Sequence, residues 1–134
     1  MRSYLIIACG LTVAAASAAM AQSAPRTEDL IGKWGVAAYW SEADAARTIA
    51  QAKSFCNQPY VITKGRNGGA MMFEPFDGKP REVKAEGGRI AAADGSAGAV
   101  KTVTSWNGST LVLNYVEDEP KRKYGNMVFV RCGR

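Results

Sequence analysis

The groups that most often carry enzyme chemistry are scarce in this sequence. Its 134 residues include no histidine and three cysteines. Histidine is the usual general base, the activator of serine and cysteine nucleophiles and the commonest zinc ligand. Without it, the chemistry open to this chain rests on carboxylates and on the cysteines.

The carboxylates do not form a recognisable catalytic or metal-binding set. A two-carboxylate hydrolase could use Glu74 and Glu86, but we interpret both as solvent-facing charges of predicted strands. The acidic run Glu117-Asp118-Glu119 lacks the spaced oxygen ligands and the glycine of a calcium-binding loop. We therefore expect no catalytic residue, no metal site and no cofactor, and a protein that is not an enzyme.

The first 21 residues have the layout of a bacterial Sec-type secretory signal. Arg2 gives a basic start, and an apolar run follows from Tyr4 to Ala16. Ala19-Met20-Ala21 then places small residues before a cleavage site, so that Gln22 becomes the first mature residue. This predicts a periplasmic or secreted protein with no transmembrane segment after signal removal, the alternative being a retained membrane anchor.

The cysteines are consistent with export. Removing residues 1–21 also removes Cys9 and leaves Cys56 and Cys132, 76 residues apart. An even pair in an oxidising compartment predicts a disulfide, here structural because the pair lacks Cys-x-x-Cys spacing. Two alternatives are a pair of free buried thiols and a lipidated Cys9, although few apolar residues precede Cys9.

The formal net charge of +5 is dispersed along the chain. The one basic cluster, Lys121-Arg122-Lys123, follows Glu117-Asp118-Glu119 across Pro120, and we interpret these opposite runs as a solvated hairpin tip. A nucleic-acid surface would need an unopposed basic stripe with interleaved aromatic residues. We therefore expect no nucleic-acid partner.

The hydrophobic pattern predicts a strand followed by a single helix. Residues alternate from Lys33 to Trp40, with Trp34 and Val36 on one face and Gly35 and Ala37 on the other. The spacing then becomes helical over 41–55, beginning at a capping box formed by Ser41 and Asp44. The predicted inward stripe of this helix consists of Ala45, Ile49, Ala52 and Cys56.

Short strands separated by glycine-rich turns follow Pro59 and bring the total to about eight. The chain is therefore predicted to be mainly β, a small antiparallel eight-stranded barrel or curved sheet with one helix after the first strand. We expect a flexible arm over 22–29, ordered structure from about Leu30, and one disulfide-closed domain over 30–134. The predicted later strands are Tyr60–Lys64, Ala70–Glu74, Arg81–Glu86, Arg89–Ala93, Val100–Trp106, Thr110–Val116 and Gly125–Cys132.

The segment Leu30-Ile31-Gly32-Lys33-Trp34 resembles the Gly-x-Trp opening of lipocalin-like barrels. The resemblance implies that Trp34 plugs one barrel end and that Arg131 or Arg134 packs across it. Among bacterial proteins the segment is similar to that of small periplasmic metalloprotease inhibitors, which implies that the arm 22–29 enters a protease cleft. The helix over 41–55 and the Cys56–Cys132 pair depart from that inhibitor pattern.

Large apolar side chains are numerous for so small a barrel. Met71, Met72 and Phe73 are consecutive, so they cannot all point inward from one strand. They form either core and helix-covered surface, or an apolar pocket or protein-contact patch. The candidate binding residues are Trp34, Trp40, Met71, Phe73, Trp106 and Tyr115.

These features predict an exported, non-catalytic binding protein. The first hypothesis is an inhibitor-like barrel that engages another periplasmic or secreted protein. The alternatives are a carrier of a small apolar ligand inside the barrel and a structural envelope protein.

Overall fold

The computed structural model describes residues 23–75 and 77–133 of the chain. The predicted leader over 1–21, the alternative lipid site at Cys9 and the first mature residue Gln22 lie outside the described residues, as does Arg134. Within the described ranges, no helix combines the length and the apolar character needed to cross a bilayer.

The described residues form a closed barrel of eight antiparallel strands. Each strand pairs with the next in the chain, and the last strand pairs with the first. The predicted eight-stranded barrel is therefore confirmed, and each predicted strand end lies within one residue of the observed end. The strands are β1 (Gly32–Tyr39), β2 (Tyr60–Lys64), β3 (Ala70–Phe73), β4 (Pro80–Glu86), β5 (Arg89–Ala92), β6 (Lys101–Trp106), β7 (Thr110–Tyr115) and β8 (Asn126–Arg131).

The helix predicted after the first strand is also confirmed. It consists of α2 (Ala45–Ser54) between two 3₁₀ turns, Glu42–Asp44 and Phe55–Asn57. The predicted capping box is wrong, because the Ser41 side chain makes no capping hydrogen bond. The Asp44 carboxylate instead accepts a hydrogen bond from Arg47, with an N–O distance of 2.6 Å.

The helix α2 lies on the outer face of the barrel, where it covers β1 and β8. Thr48 and Ala52 are buried in this contact, whereas Ile49, predicted to point inward, is 37% exposed. The predicted stripe is therefore wrong at this position. Thr48 and Ala52 are smaller than isoleucine and suit this face, because the helix backbone at Ala52 comes very close to Gly35 of the sheet. The residues buried in this outer layer are Tyr39, Ala52, Val112, Val128 and Val130.

Gly35 of β1 makes that close approach possible. A Cβ atom built at position 35 would overlap the backbone carbonyl of Ala52 and also approach the sulfur of Cys56. The clash involves backbone rather than a flexible side-chain end, so it cannot be relieved by a rotamer change.

We expect Gly35→Ala to lower the free energy of unfolding by about 1–3 kcal/mol, the usual cost of overpacking. The control is Gly98→Ala, whose new Cβ would meet the flexible side chain of Arg81 and lie at ordinary van der Waals distance from Ala92. Urea unfolding followed by circular dichroism measures both variants. Equal stability of Gly35→Ala and the wild type would show that α2 does not pack on β1 as described.

One end of the barrel is closed by α1 (Thr27–Leu30) and by Trp34. The buried Trp34 indole donates a hydrogen bond to the Leu30 carbonyl at 2.8 Å. The Arg131 guanidinium lies 4.2 Å from the Trp34 ring centroid, so Arg131 makes the contact that the sequence resemblance implies. Arg131 also donates hydrogen bonds to the carbonyls of Asp29 and Ile31, which fastens α1 to β8.

Ordered structure begins earlier than the sequence predicts. Helix α1 starts at Thr27 rather than near Leu30, and Pro25 is buried before it. The Ala85 N–H of β4 donates to the Thr27 hydroxyl at 3.0 Å, and the Arg26 N–H donates to Asp29 at 2.8 Å. The segment 22–29, expected to be a flexible arm, is therefore attached to the barrel from Thr27 onward.

The charged segment between β7 and β8 is a helix, α3 (Asp118–Tyr124), and the predicted hairpin tip is wrong. Asp118 and Glu119 lie in its first turn, and its basic residues lie in the last turn. This order favours a helix because the charges oppose the helix dipole at both ends. Pro120 is tolerated because it lies in the first turn, where its nitrogen has no intrahelical acceptor.

The predicted disulfide between Cys56 and Cys132 is present, with the two Cα atoms 5.4 Å apart. Cys56 lies in the 3₁₀ turn after α2, and the Cys132 N–H donates to the Lys33 carbonyl of β1 at 2.9 Å. The bond therefore links the end of the helical segment to the edge where β8 closes on β1.

The double variant Cys56→Ser/Cys132→Ser should lose about 4 kcal/mol of stability, the chain-entropy estimate for a loop of this length. Urea unfolding of the variant and of wild type, each with and without reductant, measures the loss. Reductant should destabilise the wild type to the level of the variant and leave the variant unchanged. If reductant frees the thiols of the wild type but leaves its stability unchanged, the prediction is contradicted.

Candidate functional site

A cavity of about 280 Å³ opens at the barrel end opposite α1. Its walls are mainly apolar, and three tyrosine rings surround its mouth. A buried carboxyl group and a buried amine also line it. The wall residues are Val36, Met72, Met127 and Phe129, the tyrosines are Tyr60, Tyr115 and Tyr124, and the ionisable residues are Glu74 and Lys101.

Lys101 is the first residue of β6, and its side chain lines the cavity. It pairs with Ile90 of β5 and Tyr115 of β7, and only 1% of its surface is exposed. Its Nζ lies 5.3 Å from the centroid of the Tyr115 ring and has no hydrogen-bond partner among the described residues. A buried amine without a partner is costly, because water can no longer solvate its charge.

Glu74 follows the last residue of β3 and is 5% exposed. Its Oε2 accepts a hydrogen bond from the Ala99 N–H at 3.0 Å. Its own backbone is held in a turn, since the Gly78 N–H donates to the Glu74 carbonyl at 3.0 Å. The interpretation of Glu74 as a solvent-facing charge is therefore wrong, whereas Glu86 is exposed as expected.

The two buried charges are neighbours but not a contact pair. The ion pairs of 4.0 Å or less among the described residues do not include Glu74 with Lys101. Burial lowers the pKa of Lys101, and the charge of the Glu74 carboxylate partly opposes that change. The pKa of Tyr115 is raised, first by burial and then by the charge of Glu74. Burial therefore acts against the charged forms of the amine and the phenol, and Glu74 acts in the opposite direction on the amine.

Hydrogen bonds and ring contacts fix the tyrosines at the mouth. The Tyr60 hydroxyl accepts a bond from the Phe73 N–H at 3.0 Å, and the Tyr124 hydroxyl donates to the Pro75 carbonyl at 3.2 Å. The rings of Tyr115 and Tyr124 lie 5.6 Å apart between centroids. Helix α3 thus contributes a wall to the cavity through Tyr124, its last residue.

Two of the predicted binding residues, Phe73 and Tyr115, line this cavity. Phe73 lies at the rim and is 51% exposed, whereas Tyr115 is buried. Met71 lies half-buried on the outer face of β3, and the next residue, Met72, points into the cavity instead. Because successive side chains of a strand point to opposite faces, only one of the two methionines can point into the cavity.

The three tryptophans lie elsewhere. Trp34 and Trp106 lie together toward the closed end, with ring centroids 6.5 Å apart. Trp40 is 64% exposed outside the barrel, where its indole donates a hydrogen bond to the Arg122 carbonyl at 2.9 Å. The six candidate binding residues therefore lie in three places. Phe73 and Tyr115 line the cavity mouth, Trp34 and Trp106 lie toward the closed end, and Met71 and Trp40 lie on the outer surface.

Lys101 was not among the site residues predicted from the sequence. A signal was available, because Lys101 is in phase with Val103 within a predicted strand. It was obscured because both faces of that strand mix polar and apolar residues, with Thr102 and Thr104 on the same face as Trp106. Pairing with Tyr115 and Ile90, rather than local alternation, identifies the inward face.

The described chain is a closed eight-stranded antiparallel barrel with a helix packed on its outer face and a cavity at one end. Comparison with protein-family models, curated proteins and solved structures finds no match for this chain. The function is therefore inferred from the cavity itself.

The pKa of Lys101 should lie below its ordinary value of 10.5, and Glu74→Gln should lower it further. The sign follows because the carboxylate favours the charged amine, whereas glutamine keeps the acceptor for Ala99 without the charge. A pH titration of the lysine ¹³Cε signals, with Lys101→Met for assignment, measures both values. An unchanged or raised pKa of Lys101 in Glu74→Gln would contradict the arrangement.

Proposed function

We propose that this chain is an exported binding protein whose barrel mouth holds a small, mainly apolar molecule. The observation that supports this most directly is the cavity between Met72, Met127 and Phe129, which joins apolar walls to two buried polar groups. Ligand sites in proteins combine mostly apolar walls with a few placed polar groups in this way. The leader pattern over 1–21 and the Cys56–Cys132 disulfide support export.

The cavity volume limits the size of the ligand. If each non-hydrogen atom takes the ~30 Å³ of a liquid water molecule, about 280 Å³ holds about nine atoms. The exposed rim at Phe73 allows a longer molecule to continue beyond the mouth. The ligand is therefore the size of a short alkyl chain with one head group.

The carrier hypothesis has more structural support than the inhibitor hypothesis. An inhibitory arm must leave the barrel to enter a protease cleft, but Thr27 and Asp29 are bonded to β4 and β8 through Ala85 and Arg131. The inhibitor and envelope-protein hypotheses stay predictions, and neither has a comparable feature among the described residues.

The variant Met127→Trp should abolish binding of 1-octanol, because the larger side chain fills the cavity. The matched control is Met71→Trp, since Met71 lies on the outer face of β3 and does not line the cavity. Isothermal titration calorimetry measures octanol affinity, and circular dichroism confirms that both variants keep the fold. Native mass spectrometry of protein purified from its own host then identifies what it carries.

Two outcomes would contradict the proposal. One is a wild type that binds no eight-carbon probe with any head group. The other is equal binding by the wild type and a folded Met127→Trp, which would place the probe somewhere other than this cavity.

A further inference from the structure

The Lys101 nitrogen is the buried side-chain atom of this cavity that has no hydrogen-bond partner among the described residues. Its three possible donors meet no acceptor among the described residues, and its nearest feature is the face of Tyr115. The Ala99 N–H holds Oε2 of Glu74, the other charged group of the cavity. The donor is therefore available to a molecule that enters the cavity.

Resting on the proposed function, we propose that the ligand is an apolar carboxylic acid whose carboxylate is received by Lys101 inside the barrel mouth. A carboxylate supplies both the acceptor atoms and the negative charge that the buried amine lacks. A neutral alcohol would supply an acceptor without a charge, and an amine would add a second positive charge beside Lys101. The head group, rather than the tail, is thus the recognised feature.

Glu74 makes this site selective rather than generally attractive to anions. Its carboxylate stands near Lys101 without reaching contact distance, so it favours the protonated amine while leaving the nitrogen open. The same carboxylate repels an anion that gains nothing from the apolar walls. Small inorganic anions such as chloride or phosphate should therefore bind weakly, whereas an acid with an alkyl tail gains from both parts of the site.

Apolar side chains of the same cavity can receive the tail. Met72, Met127 and Phe129 line it together with Lys101 and Glu74 and supply thioether and ring surfaces. Octanoate, with ten non-hydrogen atoms, matches the volume estimated above once the head group reaches Lys101. Methionines suit such a wall because their side chains adapt to tails of differing shape.

The test compares octanoate, 1-octanol and octylamine on the wild-type protein by calorimetry at pH 7. Octanoate should bind roughly tenfold or more tightly than either of the others, in line with a hydrogen bond to a charged group. In the ¹³Cε titration of the wild type, bound octanoate should raise the pKa of Lys101, whereas octanol should not.

The variant Lys101→Met should remove the preference for octanoate and retain octanol binding. Lys84→Met, which changes an exposed lysine of β4, should leave the preference unchanged. Because the head-group comparison needs no variant, poor folding of Lys101→Met would not remove the test.

The outcomes separate the two proposals. Octanol binding as tightly as octanoate, or an unchanged preference in a folded Lys101→Met, would overturn the carboxylate assignment and leave the apolar carrier standing. No binding of any of the three probes would overturn the carrier proposal itself.

Discussion

The pairing of β1 with β8 is the interaction on which the rest of the structure depends. Six residue pairs, from Trp34 with Arg131 to Tyr39 with Asn126, close the sheet on itself. Closure removes the two exposed edges that an open eight-stranded sheet would have, and it gives every strand an inner and an outer face. The Trp34–Arg131 contact and the Cys56–Cys132 bond both lie at one end of this seam.

Closure also explains why small residues lie on the outside of β1. Trp34 and Val36 point into the barrel, so Gly35 and Ala37 face α2. A helix can cover a curved sheet closely only where the sheet presents little side-chain bulk, and Gly35 allows contact with the helix backbone itself. The barrel therefore has two apolar layers, an inner core and an outer one under α2, which share the same strands.

The two ends of the barrel differ in how their polar groups are satisfied. At the closed end, Arg131 stacks on Trp34 and donates hydrogen bonds to the backbone carbonyls of Asp29 and Ile31. At the open end, Lys101 is buried and its nitrogen has no partner among the residues that the structure describes. A buried amine of this kind reduces stability, which is expected where a site is kept ready for another molecule rather than for the fold.

Alternation, turn residues and spacing along the chain predicted the strands, the helix after the first of them and the cysteine pair. The position of Trp34 at a barrel end was implied by the resemblance of its segment to lipocalin-like barrels. Tertiary packing alone explains why α2 turns Thr48 rather than Ile49 to the sheet, and why the segment at Pro120 is helical. It also decided that Lys101 meets Tyr115 within the barrel, since strand register sets which residues face each other. A charged residue in a strand is ordinarily exposed, and the phase that Lys101 shares with Val103 does not by itself show which face of β6 is inward.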